Sequence, residues 1–325
     1  MKKNKFKLSP AGKLTVILSL ILTPVTFSYA AEIEAAGRTY MRGSESIPDV
    51  HSNPEGISVI NITSPSEYGL SHNQYMEFNV NEHEVVFNNS LENVVKDGVT
   101  YHANLNLRGS PARIILNEVV GSNISTLNGH QDIIGMPADY ILANANGISC
   151  QGCSFAPEFK NVTLAVGEVN NYGGNVNIST VSNANILSIS GGKENYYISD
   201  DALTLIAPVI NSNDELSARS ELSLIVGQNK VYLNKDAVPR VEKNNGGVKT
   251  IDGYYWGGMA SNRIKIVDTR RENNLNLFAS VFTASELDVR TEGTVRIKKI
   301  AKNDSLINNL GDVYIKGKTL IFPSH

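Results

Sequence analysis

The chain has 325 residues, a formal net charge of −3, 19% charged residues and two cysteines. A mildly acidic balance excludes a basic nucleic-acid binder and a polybasic membrane-surface binder, and two cysteines exclude a disulfide-built scaffold. Asparagine is over-used, at about one residue in nine, and it sits among Gly, Ser and Thr, the residues that build turns.

The chain opens with Lys2, Lys3, Lys5, Lys7 and Lys13. The apolar run Leu14 to Val25 follows, shorter than the roughly 20 residues a membrane helix needs. Ser28-Tyr29-Ala30 then supplies small residues at the positions a signal peptidase reads. Residues 1–30 are therefore expected to be an export leader, cut between Ala30 and Ala31. Losing five lysines and no acids would take the formal charge from −3 to −8 (−3 − 5). Residues 31–325 are read as one domain.

Ala31 to Asn53 is polar and irregular, and is expected to cover one end of the fold together with Ile57 to Ile62. Short strand signals then follow without helical periodicity: Ile57 to Ile60, Val85 to Phe87, Arg113 to Leu116, Tyr140 to Leu142 and Val162 to Val166. The later triplets alternate strictly, as in Leu203-Thr204-Leu205, Leu222 to Val226, Ile264-Lys265-Ile266, Leu275-Asn276-Leu277, Leu287-Asp288-Val289, Val295-Arg296-Ile297 and Val313-Tyr314-Ile315. Apolar, polar, apolar is the mark of a half-buried strand. Related triplets return about every 18 to 23 residues, the period of a solenoid with one coil per repeat. A coil buries its inner face only by stacking on its neighbours, so the pattern predicts an all-β parallel β-helix.

The rival is a two-sheet sandwich, which needs hairpin turns between opposed strands. Asn128-Gly129, Asn146-Gly147 and Asn245-Gly246 are turn signals of that kind, and the first two are expected to close hairpins decorating the rod. Lys230 to Lys249 is polar and Gly-rich and reads as a protruding loop. Arg263 to Arg271 and Arg290 to Lys302 carry a basic surplus, read as solvated strand faces. Leu320-Ile321-Phe322 reaches nearly to the terminus with no capping signal, as at the front of a longer rod.

Candidate chemistry is sparse. Cys150-x-x-Cys153 admits a redox pair, half a zinc site, or a local disulfide or reduced pair pinning a turn. No helix start follows to lower a thiol pKa and no second cysteine pair exists, so the turn pin is favoured. Glu82-His83-Glu84 is the only local ligand-like cluster, and strand alternation separates His83 from its neighbours. No metal, cofactor or catalytic residue is expected. A polysaccharide lyase, the enzyme alternative, would need clustered carboxylates on successive repeats, and none is visible.

A series of blocks resembles a known module. They are Asn61-Ile62-Thr63-Ser64-Pro65, Gly69-Leu70-Ser71-His72-Asn73, Phe78-Asn79-Val80, Asn88-Asn89-Ser90, Ile115-Leu116-Asn117-Glu118-Val119 and Leu127-Asn128-Gly129. Ala138-Asp139, Asn144-Ala145-Asn146-Gly147 and Cys150 to Cys153 follow, then Asp201, Leu203 and Leu205, Ile251-Asp252 and Gly257-Gly258-Met259. Together, over residues 57–269, they resemble the two-partner secretion domain of filamentous haemagglutinins, haemolysins and contact-dependent inhibition exoproteins.

The resemblance implies a right-handed parallel β-helix with an N-terminal cap and extra-helical hairpins. It implies export through the periplasm, recognition by the periplasmic domains of an outer-membrane β-barrel transporter, and folding outside the cell. The Sec machinery is the implied inner-membrane partner. A host or bacterial surface is the partner of an adhesin reading, and templating of longer copies belongs to a haemolysin reading. Residues expected to serve recognition or turns are Asn61, Pro65, His72, Asn73, Asn79, Asn104, Asn106, Asn117, Glu118, Asn144, Asn146 and Gly147. Where the family writes Asn-Pro-Asn, this chain has Asn104-Leu105-Asn106 and Asn144-Ala145-Asn146, so those turns are expected to be weaker without a change of fold. Residues 270–325 are expected to add further coils.

Overall fold

A computed structural model describes residues 32–37, 47–81, 84–172, 175–180, 185–191, 198–233, 239–243, 253–255, 258–270, 274–277, 281–297, 307–309 and 311–321. The leader, Ala30, Ala31, Glu82, His83, Ile251-Asp252, Asn245-Gly246, Gly257, Arg271 and Phe322 lie outside them. Among the described residues no helix is long and apolar enough to cross a membrane.

The chain winds in coils of short parallel strands that form three faces. Face A stacks Leu70–Asn79, Ile114–Val119, Ala138–Asn144, Phe159–Ala165, Ala202–Ala207, Glu221–Val226, Met259–Asp268, Val281–Thr291 and Asp312–Lys316. Face B holds Ser58–Asn61, Val85–Asn89, His130–Gly135 and Ser154–Phe155. Face C runs from Ser125–Leu127 through Ile148–Gln151 and Ile186–Ser190 to Thr319–Ile321. The path goes from A to C to B, and the fold is a right-handed parallel β-helix, the hand that parallel crossovers take.

One register row shows why. Ile115, Tyr140, Val162, Leu203, Leu222, Ile264, Leu287 and Val313 are direct partners on successive coils. All but Val313 are fully buried, so each coil's inner face is completed by the next. Three steps along face A are about twice as long as the rest, from Leu70 to Ile114, Val162 to Leu203 and Leu222 to Ile264. Each holds inserted strands that leave the coil.

Those insertions explain the unbroken apolar runs of the first half. Glu168–Tyr172, Asn175–Ser179, Asn229–Leu233 and Arg240–Lys243 form a four-stranded antiparallel sheet. It lays Val176, Ile178 and Val231 on the outer side of face A, against Ile114, Leu116, Ile141, Ile206 and Ile225. A strand buried on both sides has no polar side to show. The stretch from Lys230 to Lys249, expected as a loop, instead supplies paired strands to this sheet, with 234–238 and 244–249 outside the described residues. A second hairpin, Val94–Lys96 with Val99–Tyr101, turns at Asp97 and Gly98 and covers the outer side of face B.

Neither Asn128-Gly129 nor Asn146-Gly147 makes a hairpin. Asn128-Gly129 joins Ser125–Leu127 on face C to His130–Gly135 on face B, and Asn146-Gly147 joins face A to face C. Both are corners of the coil, where the chain changes direction without returning on itself. The N-terminal cap is also more regular than expected. Glu32–Ala35 pairs antiparallel with Leu70–Asn79, and Asp49–Ser52 pairs antiparallel with Ser58–Asn61. Antiparallel strands close the first edges against further parallel addition.

In the N-terminal coils the core is aromatic. Tyr75, Phe78, Phe87, Tyr140, Phe155 and Phe159 meet mostly edge-to-face, with centroids 5.0 to 6.4 Å apart. Their two hydroxyls are satisfied inside, Tyr75 donating to Asn117 Oδ1 at 3.2 Å and Tyr140 to Gln131 Oε1 at 2.6 Å. Cys150 and Cys153 form a disulfide beside this core, the local staple among the arrangements the spacing admits.

The basic stretches are not simply solvated. Arg263 and Lys265 pair with Glu221 and Glu286 across coils, and Arg290 pairs with Asp288. Arg270 is buried and holds Asp268 through its Nε at 2.8 Å and its Nη2 at 2.6 Å.

Candidate functional site

The residues singled out in the sequence gather in the first four coils, and nearly all of them bond inward. Asn104 sits fully buried at the start of a 3₁₀ turn, Leu105–Leu107. Its side-chain amide donates to the carbonyls of Ile62 and Asn88 at 3.0 and 2.8 Å. Its Oδ1 accepts from the Asn106 N–H at 3.0 Å, and Asn106 Nδ2 reaches the Asn61 carbonyl. Asn144 repeats the arrangement in the next coil, at the corner between face A and face C. It donates to Asn123 O at 2.9 Å and Ser125 Oγ at 3.0 Å, and accepts from the Asn146 N–H at 2.9 Å. Asn146 donates to Gly121 O at 2.9 Å. Gly147 takes φ +132, a conformation that side chains rarely adopt, and bonds back to the Asn144 carbonyl.

Both proline-free turns therefore close through an asparagine side chain accepting from the backbone two residues on. The missing proline would have preset the same turn by fixing φ. The fold is retained, as expected.

The remaining positions follow the same rule. Asn73 is buried and accepts from the Thr63 N–H at 2.8 Å, tying the Asn61 to Pro65 block to face A. Pro65 is half-buried beside it. Asn61 accepts from Asn88 Nδ2 at 2.8 Å, a two-rung ladder between register partners. Asn79 accepts from the Thr126 N–H and hydroxyl at 2.9 and 3.0 Å. Asn117 takes the Tyr75 hydroxyl. His72 Nε2 and Glu118 Oε2 lie 2.8 Å apart, and Gln74 Nε2 donates to the same oxygen at 2.8 Å. In the folded chain these groups hold corners and coils together. Apart from Asn117 Nδ2, which is buried without a partner, their side-chain groups are turned inward, and little is offered to a partner.

The sequence reading missed one cluster. Glu84, just before Val85–Asn89, meets His130 and Asp132 of the next strand of face B, with one ligand atom of each within 4.8 Å of the others. Lys96 of the outer hairpin forms an ion pair with Asp132. Burial, a hydrogen bond with Asp132 and that neighbour's charge push the Glu84 carboxyl up to about 7. Burial also lowers the His130 imidazole. Only the parallel register brings these residues together, so no local spacing announced them.

The comparisons with known proteins agree with this architecture. The sequence model of the TPS secretion domain matches residues 31–297. A Serratia marcescens protein named hemolysin is 37% identical over 340 residues, covering 98% of this chain and 20% of its own length. A Proteus mirabilis hemolysin is 35% identical, covering 100% of this chain and 21% of its own length. A 16S rRNA endonuclease CdiA of Enterobacter cloacae is 30% identical, across 98% of this chain and 9% of its own. The chain thus spans about a fifth of the length of the hemolysins it matches. The crystal structure of a filamentous hemagglutinin secretion domain superposes with a TM-score of 0.61 at 23% identity, over 89% of this chain and 96% of that one.

Proposed function

The chain belongs to the TPS secretion domain family, and from that premise we propose that it is the export module of a two-partner secretion exoprotein, read by its transporter before folding and converted to a rod after crossing the outer membrane. The observation that carries this reading is the burial of the motif asparagines: Asn73, Asn104, Asn117 and Asn144 are at most 2% exposed once the coils have formed. A partner that depends on them must meet them in the unfolded chain. Extended segments with free backbone are suited to capture by strand addition. The segments bet on are Asn61 to Val80 and Asn104 to Gly147.

Folding then supplies direction. An emerging chain that coils outside cannot slide back, and parallel pairing is slow because it is non-local, which keeps the chain open before transit. The antiparallel cap, Glu32–Ala35 and Asp49–Ser52, closes one edge of the first coil, so later coils template on the opposite edge. In this reading residues 1–30 pass the chain to the Sec machinery, residues 31–325 act as one module, and the module performs no chemistry of its own. A role in adhesion to host or bacterial surfaces would be an added property of the rod face, tested by saturable cell binding.

A second reading, of the haemolysin type, is favoured by the last described coil. Val313 and Leu320 continue the rows of Leu287 and Val295 and are 50% and 40% exposed, an apolar surface on which a second molecule with the same coil rows can stack. The experiment for the main reading is co-expression of the full chain with and without its transporter. Release into the medium that requires the transporter supports it. Equal release without the transporter overturns it.

A further inference from the structure

On face B, side chains alternate between the core and the outer side. Gln131 points inward, where it accepts the Tyr140 hydroxyl. His130 and Asp132 flank it and so share the outer side. The register sets Gln131 against Val85 and Asp132 against Val86, which brings Glu84 level with His130 and leaves Ser154 on the other side of that histidine. Two carboxylates and an imidazole are thus aligned across adjacent coils by the ladder itself. Such alignment is rigid, because it is fixed by backbone bonds.

The imidazole is already oriented. His130 Nδ1 lies 2.9 Å from Ser154 Oγ, which leaves Nε2 as the nitrogen available for a ligand. Metal-bound histidines are usually held in this way by a bond on the other ring nitrogen. The Asp132 side chain is 4% exposed and carries the Lys96 ammonium, the only cation paired with the cluster among the described residues. Lys96 comes from the outer hairpin, which is also fixed to face B by Val94, Val99 and Tyr101 against Val59, Val86 and Ile134. The hairpin therefore has an apolar anchor independent of its lysine.

We propose that Glu84, His130 and Asp132 form a zinc site in which the metal takes the place of the Lys96 ammonium and staples two adjacent coils. One imidazole and two carboxylates, with water in the fourth position, are a donor set that zinc accepts. Calcium takes six to eight oxygen ligands and has no use for the imidazole, so the set discriminates against it. The lysine is the internal cation that keeps the two carboxylates together without metal.

The test is isothermal titration of the full mature chain with zinc chloride, and separately with calcium chloride, with circular dichroism as a fold control. The wild type is expected to bind one zinc ion saturably and calcium more weakly. Lys96→Gln removes the competitor and should tighten zinc binding by about tenfold, a gain that a purely structural lysine would not produce. His130→Ala should lose binding, and Ser154→Ala should weaken it about tenfold through the lost orientation of the ring. Absence of saturable binding by both wild type and Lys96→Gln would overturn the proposal. So would zinc binding that is unchanged in a folded His130→Ala variant, since the metal would then sit elsewhere.

Discussion

Replacing Asn144 by alanine separates a corner that the asparagine builds from a corner that merely contains one. Asn144 is fully buried, and four bonds end on its side chain: to Asn123 O, to Ser125 Oγ, and from the Asn146 N–H and Nδ2. The Asn123 carbonyl belongs to an exposed residue and regains water. Ser125 is fully buried and the Asn146 N–H is folded under the turn, so those groups stay unpaired. A buried hydrogen bond contributes about 1 kcal/mol net, and a stranded buried group costs about 1–3 kcal/mol, which together put the loss near 3 kcal/mol. Asn146→Ala is the control. Its residue is half-buried and loses chiefly the bond to Gly121 O, a loss of about 1 kcal/mol. Urea unfolding of residues 31–325 reads both, with the midpoint shifting at constant slope. An Asn144→Ala variant no less stable than Asn146→Ala would refute the corner-building account.

Three further outcomes are expected. Gly135 has φ +90, and an added Cβ would lie 2.4 Å from the Asn89 carbonyl oxygen, so Gly135→Ala should lower stability by about 3 kcal/mol or more and be visible as a large drop in melting temperature. Replacing both Cys150 and Cys153 with alanine opens a very short loop and should cost about 2 kcal/mol while leaving the circular dichroism spectrum of the rod unchanged. Glu84 has its folded pKa raised from 4.5 to about 7, so the stability it contributes is complete below about 4.5 and is lost as the pH rises through about 7. Solvent screening of this half-buried group limits the effect to about 1 kcal/mol, and a Glu84→Gln variant should show a flatter profile of stability between those pH values.

The sequence disclosed the coil rows because inward positions repeat with period two within strands and recur from coil to coil. Leu203, Leu222 and Leu287 are each placed correctly on that ground. It disclosed less where strands are covered on both sides. Ile114-Ile115-Leu116 reads as a bare apolar run, and only the structure shows Ile115 in the core and its neighbours under the outer sheet. Hairpins are expected in the wrong places because Asn-Gly suits a coil corner as well as a tight reversal. Asn128-Gly129 is the former, whereas the tight reversal is at Asp97-Gly98, an Asp-Gly signal of equal strength between two β-branched runs that is absent from the expected hairpins. The cluster of Glu84, His130 and Asp132 is invisible in the sequence because its members lie on different coils. Their alignment depends on the registers of face B, which no local pattern encodes.

On the proposed reading, a transporter reads the export signal only before folding. The measurement is the affinity of its isolated periplasmic domains for residues 31–325, freshly diluted out of urea and still unfolded and, in parallel, fully refolded in the same final buffer. Saturable binding to the unfolded chain, weakened by Asn146→Ala and absent for the folded rod, is the predicted result. Equal affinity for the folded rod would contradict the account, because Asn73, Asn104 and Asn144 are then out of reach.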